Sequence, residues 1–395
     1  MMILEGDSGC GIMNKIAKKG RLSARKETKL RDVLFANLPE EITIEILRRL
    51  TIRHVMTCKC VLRKSWRDLI EGEDFGMSYT PKPGLFFVYG DMEMQYVVCD
   101  EALKPLFRFG SPSHNQFSTA HYRVIVASAN GFLSIWDQRD NILFICNPMT
   151  REHVELPRLS KYNKVCSFWG FGVSKTSSQY KIVYVDKDSC WVYTLGTGLW
   201  RSIEAIDPCI FLLGFDSAAF LNGNLHWLTY DSKENIFICC FDLETDIFTR
   251  FSLPCEFSDD ISSYKRIYIF EGRLYLCGIL DWCRVVLRMM NSYGDDNSWI
   301  KEYSFDIPGV YSRMRGLKVL VNGELLIAIP GLYMCTTHDR LFFIDPKNTE
   351  APVAYKTYGD LEQNYSSNIA TYTPSLISLT TIGCHNVQPL NFLYY

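Results

Sequence analysis

Five short stretches of this 395-residue sequence hold residue types at spacings that can do chemistry, and each lacks a part that its chemistry needs. Gly6-Asp7-Ser8-Gly9 is a setting for an activated serine. Too few residues precede it to supply the histidine base and carboxylate in the order that motif follows. Asp186-Lys187-Asp188-Ser189 begins like a calcium loop, yet Cys190 and Trp191 stand where an oxygen ligand and the turn glycine belong. His153-Val154-Glu155 resembles half of a deaminase zinc site without its Pro-Cys-x-x-Cys partner. His54, Cys58 and Cys60 are three soft ligands. On a helix the first two share a face while Cys60 points elsewhere, and no second cysteine pair follows at zinc spacing. A buried structural role fits them better. Trp169-Gly170-Phe171-Gly172-Val173 reads as a turn in a strand context, because no phosphate-binding Gly-x4-Gly-Lys-Ser/Thr occurs. Carboxylate pairs for sugar hydrolysis cannot be matched along a sequence, since their separation is three-dimensional. The reading is of a non-catalytic protein with no metal and no cofactor.

The totals frame the elements around these stretches. Hydrophobic residues make up 47% and charged residues 22%, as in a soluble globular protein with a sizeable core. A net charge of −2 creates no basic field, so no nucleic-acid partner is expected. The longest apolar runs, Ile236–Phe241 and Leu274–Leu280, are strand-length, so no membrane partner is expected either. Glu5 and Asp7 break up any secretory segment, and the 15 cysteines are scattered. Cys146, Cys190, Cys239, Cys240 and Cys277 sit in apolar runs and read as reduced, packed thiols. The expected location is intracellular, cytoplasm and/or nucleus. Residues 1–32 read as a poorly ordered basic arm, with eight Lys/Arg and only Glu27 between Lys15 and Arg31.

Residues 33–75 form a helical block. Leu38, Ile42, Ile46, Leu47 and Leu50 recur at the spacing of one helix face. Asn37 can cap that helix with Glu40 three residues on, and Pro39 falls in the first turn, where a missing N–H costs nothing. A second helix carries Val55, Cys58 and Leu62 on one side, and a third carries Trp66, Leu69 and Ile70; Glu71–Phe75 closes the block. Three helices this short rarely bury enough surface to stand alone: below about 40 residues a disulfide, metal or partner is normally needed. The apolar face therefore packs on the rest of the chain or on another protein.

From about residue 80 the texture changes to short runs of β-branched and aromatic residues between turn signals. Asn-Gly followed by an apolar run occurs at Asn130–Gly131, Asn222–Gly223 and Asn322–Gly323, and Glu271–Gly272 is a cousin. The next run ends at Asn147, Asp242 or Asp345, side chains able to turn the chain by bonding the backbone ahead. Gly223 to Gly272 is 49 residues and Gly272 to Gly323 is 51, a period that suits multi-stranded propeller blades. An irregular β-sandwich with similar hairpins is the second choice. His226, Trp227, Trp136, Trp169, Trp200, Trp282 and Trp299 read as core of this domain, residues 80–383, with a tail at 384–395.

Taken in order, Asn37–Leu50 and His54–Ile70 resemble the F-box, through Leu38-Pro39, the Ile42/Ile46/Leu47/Leu50 stripe, Cys58-Lys-Cys-Val61 and Trp66. Thr51 stands where that family often has proline, and one extra residue separates Val61 from Trp66. The stretches Ile142–Pro157, Phe171–Val185, Trp191–Ile203 and Ala218–Pro254 resemble the F-box-associated, kelch-like β-propeller domain of plant F-box proteins, although no Gly-Gly pair of a kelch repeat is present. The resemblance implies a multidomain chain, α then β: a small N-terminal three-helix F-box followed by a large all-β domain, a β-propeller. It implies a substrate receptor of a Skp–cullin–F-box ubiquitin ligase, not itself an enzyme. Leu38, Pro39, Ile42, Ile46, Leu47, Leu50, Val55, Val61 and Trp66 would then bind the Skp adaptor, and through it a cullin, while the β domain captures an unknown target protein. A plain propeller interaction module and a propeller enzyme acting on sugars stay open as alternatives.

Overall fold

The computed structural model describes residues 38–61, 64–89, 95–110, 124–137, 141–159, 167–186, 189–203, 211–212, 218–258, 264–281, 283–306, 316–319, 325–329, 340–344, 354–355 and 365–390. Contacts divide the chain into two units, residues 1–78 and 79–395.

The described part of the first unit is helical. Helix α1 (Glu40–Arg48) starts one residue after Pro39, which holds the N-cap position at φ −53° and ψ 147° with no side-chain cap. The capping box expected from Asn37 rests on a residue that lies outside the described ones. Thr43 N–H donates to the Pro39 carbonyl at 3.1 Å. Glu40 and Glu41 in the first turn and Arg48 in the last complement the helix dipole. Helix α2 (Ile52–Val61) begins after Thr51, whose carbonyl accepts from Val55 N–H and whose hydroxyl lies 2.8 Å from His54 Nδ1. Threonine thus starts this helix without the proline its position often carries in the resembling family. Helix α3 (Lys64–Glu71) buries Trp66 and Ile70. Glu71–Phe75 does not end the block: a further short helix, α4 (Glu73–Ser78), follows and buries Phe75. Glu73 and Asp74 in its first turn favour that start.

The second unit is nearly all β. Strands β1 (Gly84–Tyr89), β2 (Gln95–Cys99) and β3 (Pro105–Gly110) form an antiparallel set. A second sheet holds β4 (Val124–Ala129), β5 (Phe132–Asp137), β6 (Ile142–Asn147) and β7 (Glu152–Glu155). A third holds β8 (Ser167–Val173), β9 (Tyr180–Asp186), β10 (Cys190–Thr194) and β11 (Trp200–Ile203). In the fourth, β12 (Phe211–Leu212) and β13 (Ala219–Leu221) both pair with β14 (Asn224–Tyr230), followed outward by β15 (Ile236–Asp242) and β16 (Phe248–Ser252). After helix α5 (Cys255–Ser258), the fifth sheet holds β17 (Lys265–Phe270), β18 (Arg273–Leu280), β19 (Arg284–Met290) and β20 (Trp299–Asp306). The sixth holds β21 (Gly316–Val319), β22 (Leu325–Ile329), β23 (Arg340–Ile344) and β24 (Ala354–Tyr355).

Neighbouring sheets touch through their first strands, β4 to β8, β8 to β13 and β14, these to β17, and β17 to β21. Strand β25 (Tyr365–Tyr372) then touches both β21 and β4 and pairs antiparallel with β1, Gly84 opposite Tyr372. It is the inner strand of the first sheet, so the six sheets among the described residues close into a ring of blades, a β-propeller. Chain order thus builds this first blade from both ends of the domain.

The turns explain why these strands pair as they do. Asn130 and Gly131 take φ 45° and 85°, Asn222 and Gly223 take 50° and 84°, and Glu271 and Gly272 take 47° and 70°. Two successive positive φ values are what a tight hairpin between twisted strands demands, and Asn-Gly supplies them at least strain. Each links an innermost strand of its blade to the next strand outward. Asn322–Gly323 and Asp345 lie outside the described residues. Asn147 and Asp242 turn the chain as their types suggest: Asn147 Oδ1 accepts from Met149 N–H at 2.9 Å, and Asp242 Oδ1 from Glu244 N–H at 2.7 Å.

Between blades lies apolar packing. Phe132, Trp136, Trp169, Phe171 and Tyr184 join blades 2 and 3, with Trp136 and Trp169 ring centres 4.8 Å apart. Phe168, Val183, Trp227 and Phe241 join blades 3 and 4. Trp136, Trp169, Trp227, Trp299 and His226 are buried, Trp200 is half-buried, and Trp282 lies outside the described residues. Gly170 and Gly172 correct a sequence expectation. They mark no turn but lie inside β8, where a Cβ would come within 2.6 Å of Leu225 and 2.5 Å of Phe220 of the next blade. Glycine there lets two sheets approach.

Beyond β25 the chain runs over blades 2 and 3 rather than leaving the ring. Tyr372 OH donates to the Gly131 carbonyl, and Asn147 Nδ2 donates to the carbonyls of Ser375 and Ile377 at 3.0 and 2.7 Å. Leu379 is fully buried among the side chains joining those blades, and its N–H donates to Glu152. Gln388 and Pro389, strand β26, then pair with β7 as a fifth strand of blade 2.

Candidate protein-interaction surfaces

Helix α1 sorts the residues that the sequence assigned to adaptor binding. Leu47 is fully buried, Leu38, Ile46 and Leu50 are half-buried, Pro39 is exposed, and Ile42 is 49% exposed. Val55 on α2 and Trp66 on α3 are buried, so neither presents a surface. Val61 ends α2, and its side chain lies outside the described residues. The stripe thus has two roles: Leu47 faces a core, while Ile42 on the preceding turn, with Pro39, is left in water. Glu45 and Arg49 form an exposed pair at 2.8 Å beside it. His54 is turned toward Thr51, Cys58 is half-buried with its thiol pushed up by burial, and Cys60 is exposed.

The blades offer a second surface, which sequence reading missed. The turn into the outermost strand is built alike in blades 3 and 4. Gly198 and Asp246 take left-handed backbone, φ 77° and 58°, directly before Leu199 and Ile247, which directly precede β11 and β16. Leu199 is 77% and Ile247 58% exposed. Thr-Gly-Leu-Trp at 197–200 and Thr-Asp-Ile-Phe at 245–248 carry the repeat in sequence. In sequence, an apolar residue beside an aromatic one reads as strand interior.

Charged groups tie the two turns together. Asp246 takes the buried Lys181 ammonium at 3.2 Å and the Arg201 guanidinium, both from blade 3. Lys181 also donates to the Leu243 carbonyl. Glu244 accepts from the N–H groups of Ser177 and Thr176 at 3.0 and 3.1 Å, and these bonds hold its carboxyl below the usual range and ionised.

Blade 5 continues the row. Its corresponding turn holds Tyr293, 43% exposed, with Asp295 and Asp296 beyond it. His226 Nδ1 lies 3.0 Å from the Ala219 carbonyl, an acceptor, so Nδ1 carries the proton and Nε2 accepts from Tyr293 OH at 2.9 Å. Burial, opposed by the Ala219 bond, holds this imidazole down to about 4, neutral at pH 7. Tyr293 also stacks edge-on against Phe251. Among the described residues, no group of three or more His, Cys, Asp or Glu side chains is arranged to hold a metal ion.

Comparison with known proteins adds a family to this geometry. The family model for the F-box associated beta propeller domain matches residues 85–373, well over half the chain. An F-box protein of Arabidopsis thaliana is 29% identical over 262 residues, 62% of this chain and 63% of its own. A candidate F-box protein of the same plant is 28% identical over 222 residues, 55% of this chain and 61% of its own. Another is 23% identical over 390 residues, 88% of each chain. The chain thus spans about three fifths of the length of the first two and most of the third.

Proposed function

We propose, for a chain that belongs to the F-box-associated β-propeller family, that it is the substrate-recognition subunit of a Skp–cullin–F-box ubiquitin ligase. The helical unit docks on a Skp adaptor and through it a cullin, and the propeller holds a target protein. The subunit makes and breaks no bond. It raises the target's effective concentration beside the charged ubiquitin-conjugating enzyme, turning a bimolecular encounter into a local one.

One observation carries this reading: a short helix ahead of a family propeller leaves Ile42 half in water on the same stripe that buries Leu47. An apolar side chain so placed supports a helix-on-helix contact with a partner. The test is co-purification of the full chain with a plant Skp adaptor, beside Ile42→Asp, Ile46→Asp and a deletion of residues 1–75. The intact chain is expected to bind. Ile42→Asp, which sets a charge in an apolar contact, should weaken binding on the order of 100-fold or more, with the propeller still folded by circular dichroism. No adaptor binding by the intact chain would leave a propeller interaction module without ligase function. Unchanged affinity in both variants would show that the stripe faces elsewhere.

A further inference from the structure

The row of outer turns on blades 3, 4 and 5 presents apolar side chains to water. Single exposed apolar residues are ordinary. Here Leu199 and Ile247 occupy the same turn position on adjacent blades, and Tyr293 stands on the corresponding turn of the third. Turn geometry does not ask for Leu199 or Ile247: the left-handed residue before each satisfies the backbone, and any polar residue would serve afterwards. In blade 2 the residue after left-handed Arg151 is Glu152, a carboxylate used to hold Ser378 and Leu379. Where that position does have an internal task, it is polar.

The row is also held rigidly. Asp246 clamps blade 4's turn to Lys181 and Arg201 of blade 3, Glu244 closes onto the Thr176–Ser177 turn, and Tyr293 is fixed to His226 of blade 4. A preorganised apolar row loses little entropy when a partner covers it. The turns of blades 4 and 5 carry its acidic charge. Residues 242–247 and 291–298 carry the carboxylates Asp242, Glu244, Asp246, Asp295 and Asp296 and no lysine or arginine. From blade 3, Lys181 and Arg201 oppose them and both pair with Asp246, while Lys175 stands on the adjoining turn.

We propose that this row is where the propeller takes its target, and that the target presents an extended segment of apolar side chains spaced among lysines or arginines. This rests on the receptor reading above and adds to it the chemistry of the segment. Apolar anchors on Leu199, Ile247 and Tyr293 supply the affinity, and the carboxylates select basic sequences and speed the encounter.

The test uses the full chain and fluorescent 12-residue peptides with three leucine or phenylalanine residues and net charge +4, 0 or −4. Fluorescence anisotropy is expected to show the +4 set binding best and weakening several-fold as salt rises from 50 to 300 mM. Leu199→Ser with Ile247→Ser should weaken it at least tenfold, as should Asp295→Asn with Asp296→Asn, with unfolding midpoints and adaptor binding unchanged. A preference for −4 peptides, no binding by any set, or binding as tight as the native chain's in both double variants overturns the proposal. Adaptor binding with no peptide binding removes this surface alone. Peptide binding without adaptor binding removes the ligase reading and leaves the surface.

Discussion

His226 shows how one side chain can set the response of the propeller to acid. It is buried and neutral between Ala219 and Tyr293, with its imidazole held at about 4 against an ordinary 6.5. The unfolded chain takes up a proton as pH falls through 6.5, while the folded chain does not until about 4. The contribution is thus complete above 6.5 and lost as pH falls through that window, amounting to about 2 kcal/mol between pH 6.5 and 5. Urea unfolding of the native chain and His226→Gln at pH 7, 6 and 5 should show a smaller loss with acid in the variant; parallel slopes would refute this. In the folded chain His226 charges only as pH falls toward about 4, so peptide binding through Tyr293 should hold between pH 7 and 5 and weaken below that.

Turns and strands divide sharply in what their sequence reveals. Asn130–Gly131 and Asn222–Gly223 were legible because few residue pairs tolerate two positive φ values, so backbone strain writes itself into residue type. Gly170 and Gly172 were misread because glycine in a strand answers to a neighbour about 50 residues away, not to its own backbone. The segment from Pro374 to Leu390 has no period of 2 or 3.6 and was taken in part for a tail; its bonds to Asn147 span 228 and 230 residues. In the helical unit the apolar spacing was plain, but spacing alone does not separate Leu47, buried, from Ile42, exposed. Two glycines at similar φ distinguish local strain from packing. Gly131→Ala would put a Cβ 2.0 Å from Ser375 Cβ and 2.6 Å from its nitrogen, whereas Gly198→Ala meets nothing within 4 Å. The first should cost on the order of 3 kcal/mol or more, the second about 1 kcal/mol, both read as denaturation midpoints. Equal losses would mean that the crossing segment does not press on blade 2.

For the whole molecule, the division at residues 78 and 79 predicts that residues 79–395 unfold cooperatively at the midpoint of the full chain. Removing residues 365–395 takes away the inner strand of blade 1 and the crossing segment together, so that variant should show no cooperative transition at the native midpoint. A native-like melt after that deletion would show that five sheets and a three-stranded remnant suffice. Because Gly84 pairs with Tyr372, protein synthesis itself meets this seam. The ribosome delivers β1 early, and its inner neighbour follows only after all the other blades have emerged. A nascent chain halted anywhere between them carries an open blade edge, with unpaired backbone groups that chaperones and proteases can read. Completion of translation is thereby recorded in the fold, and only a chain read through Tyr372 can become a closed propeller.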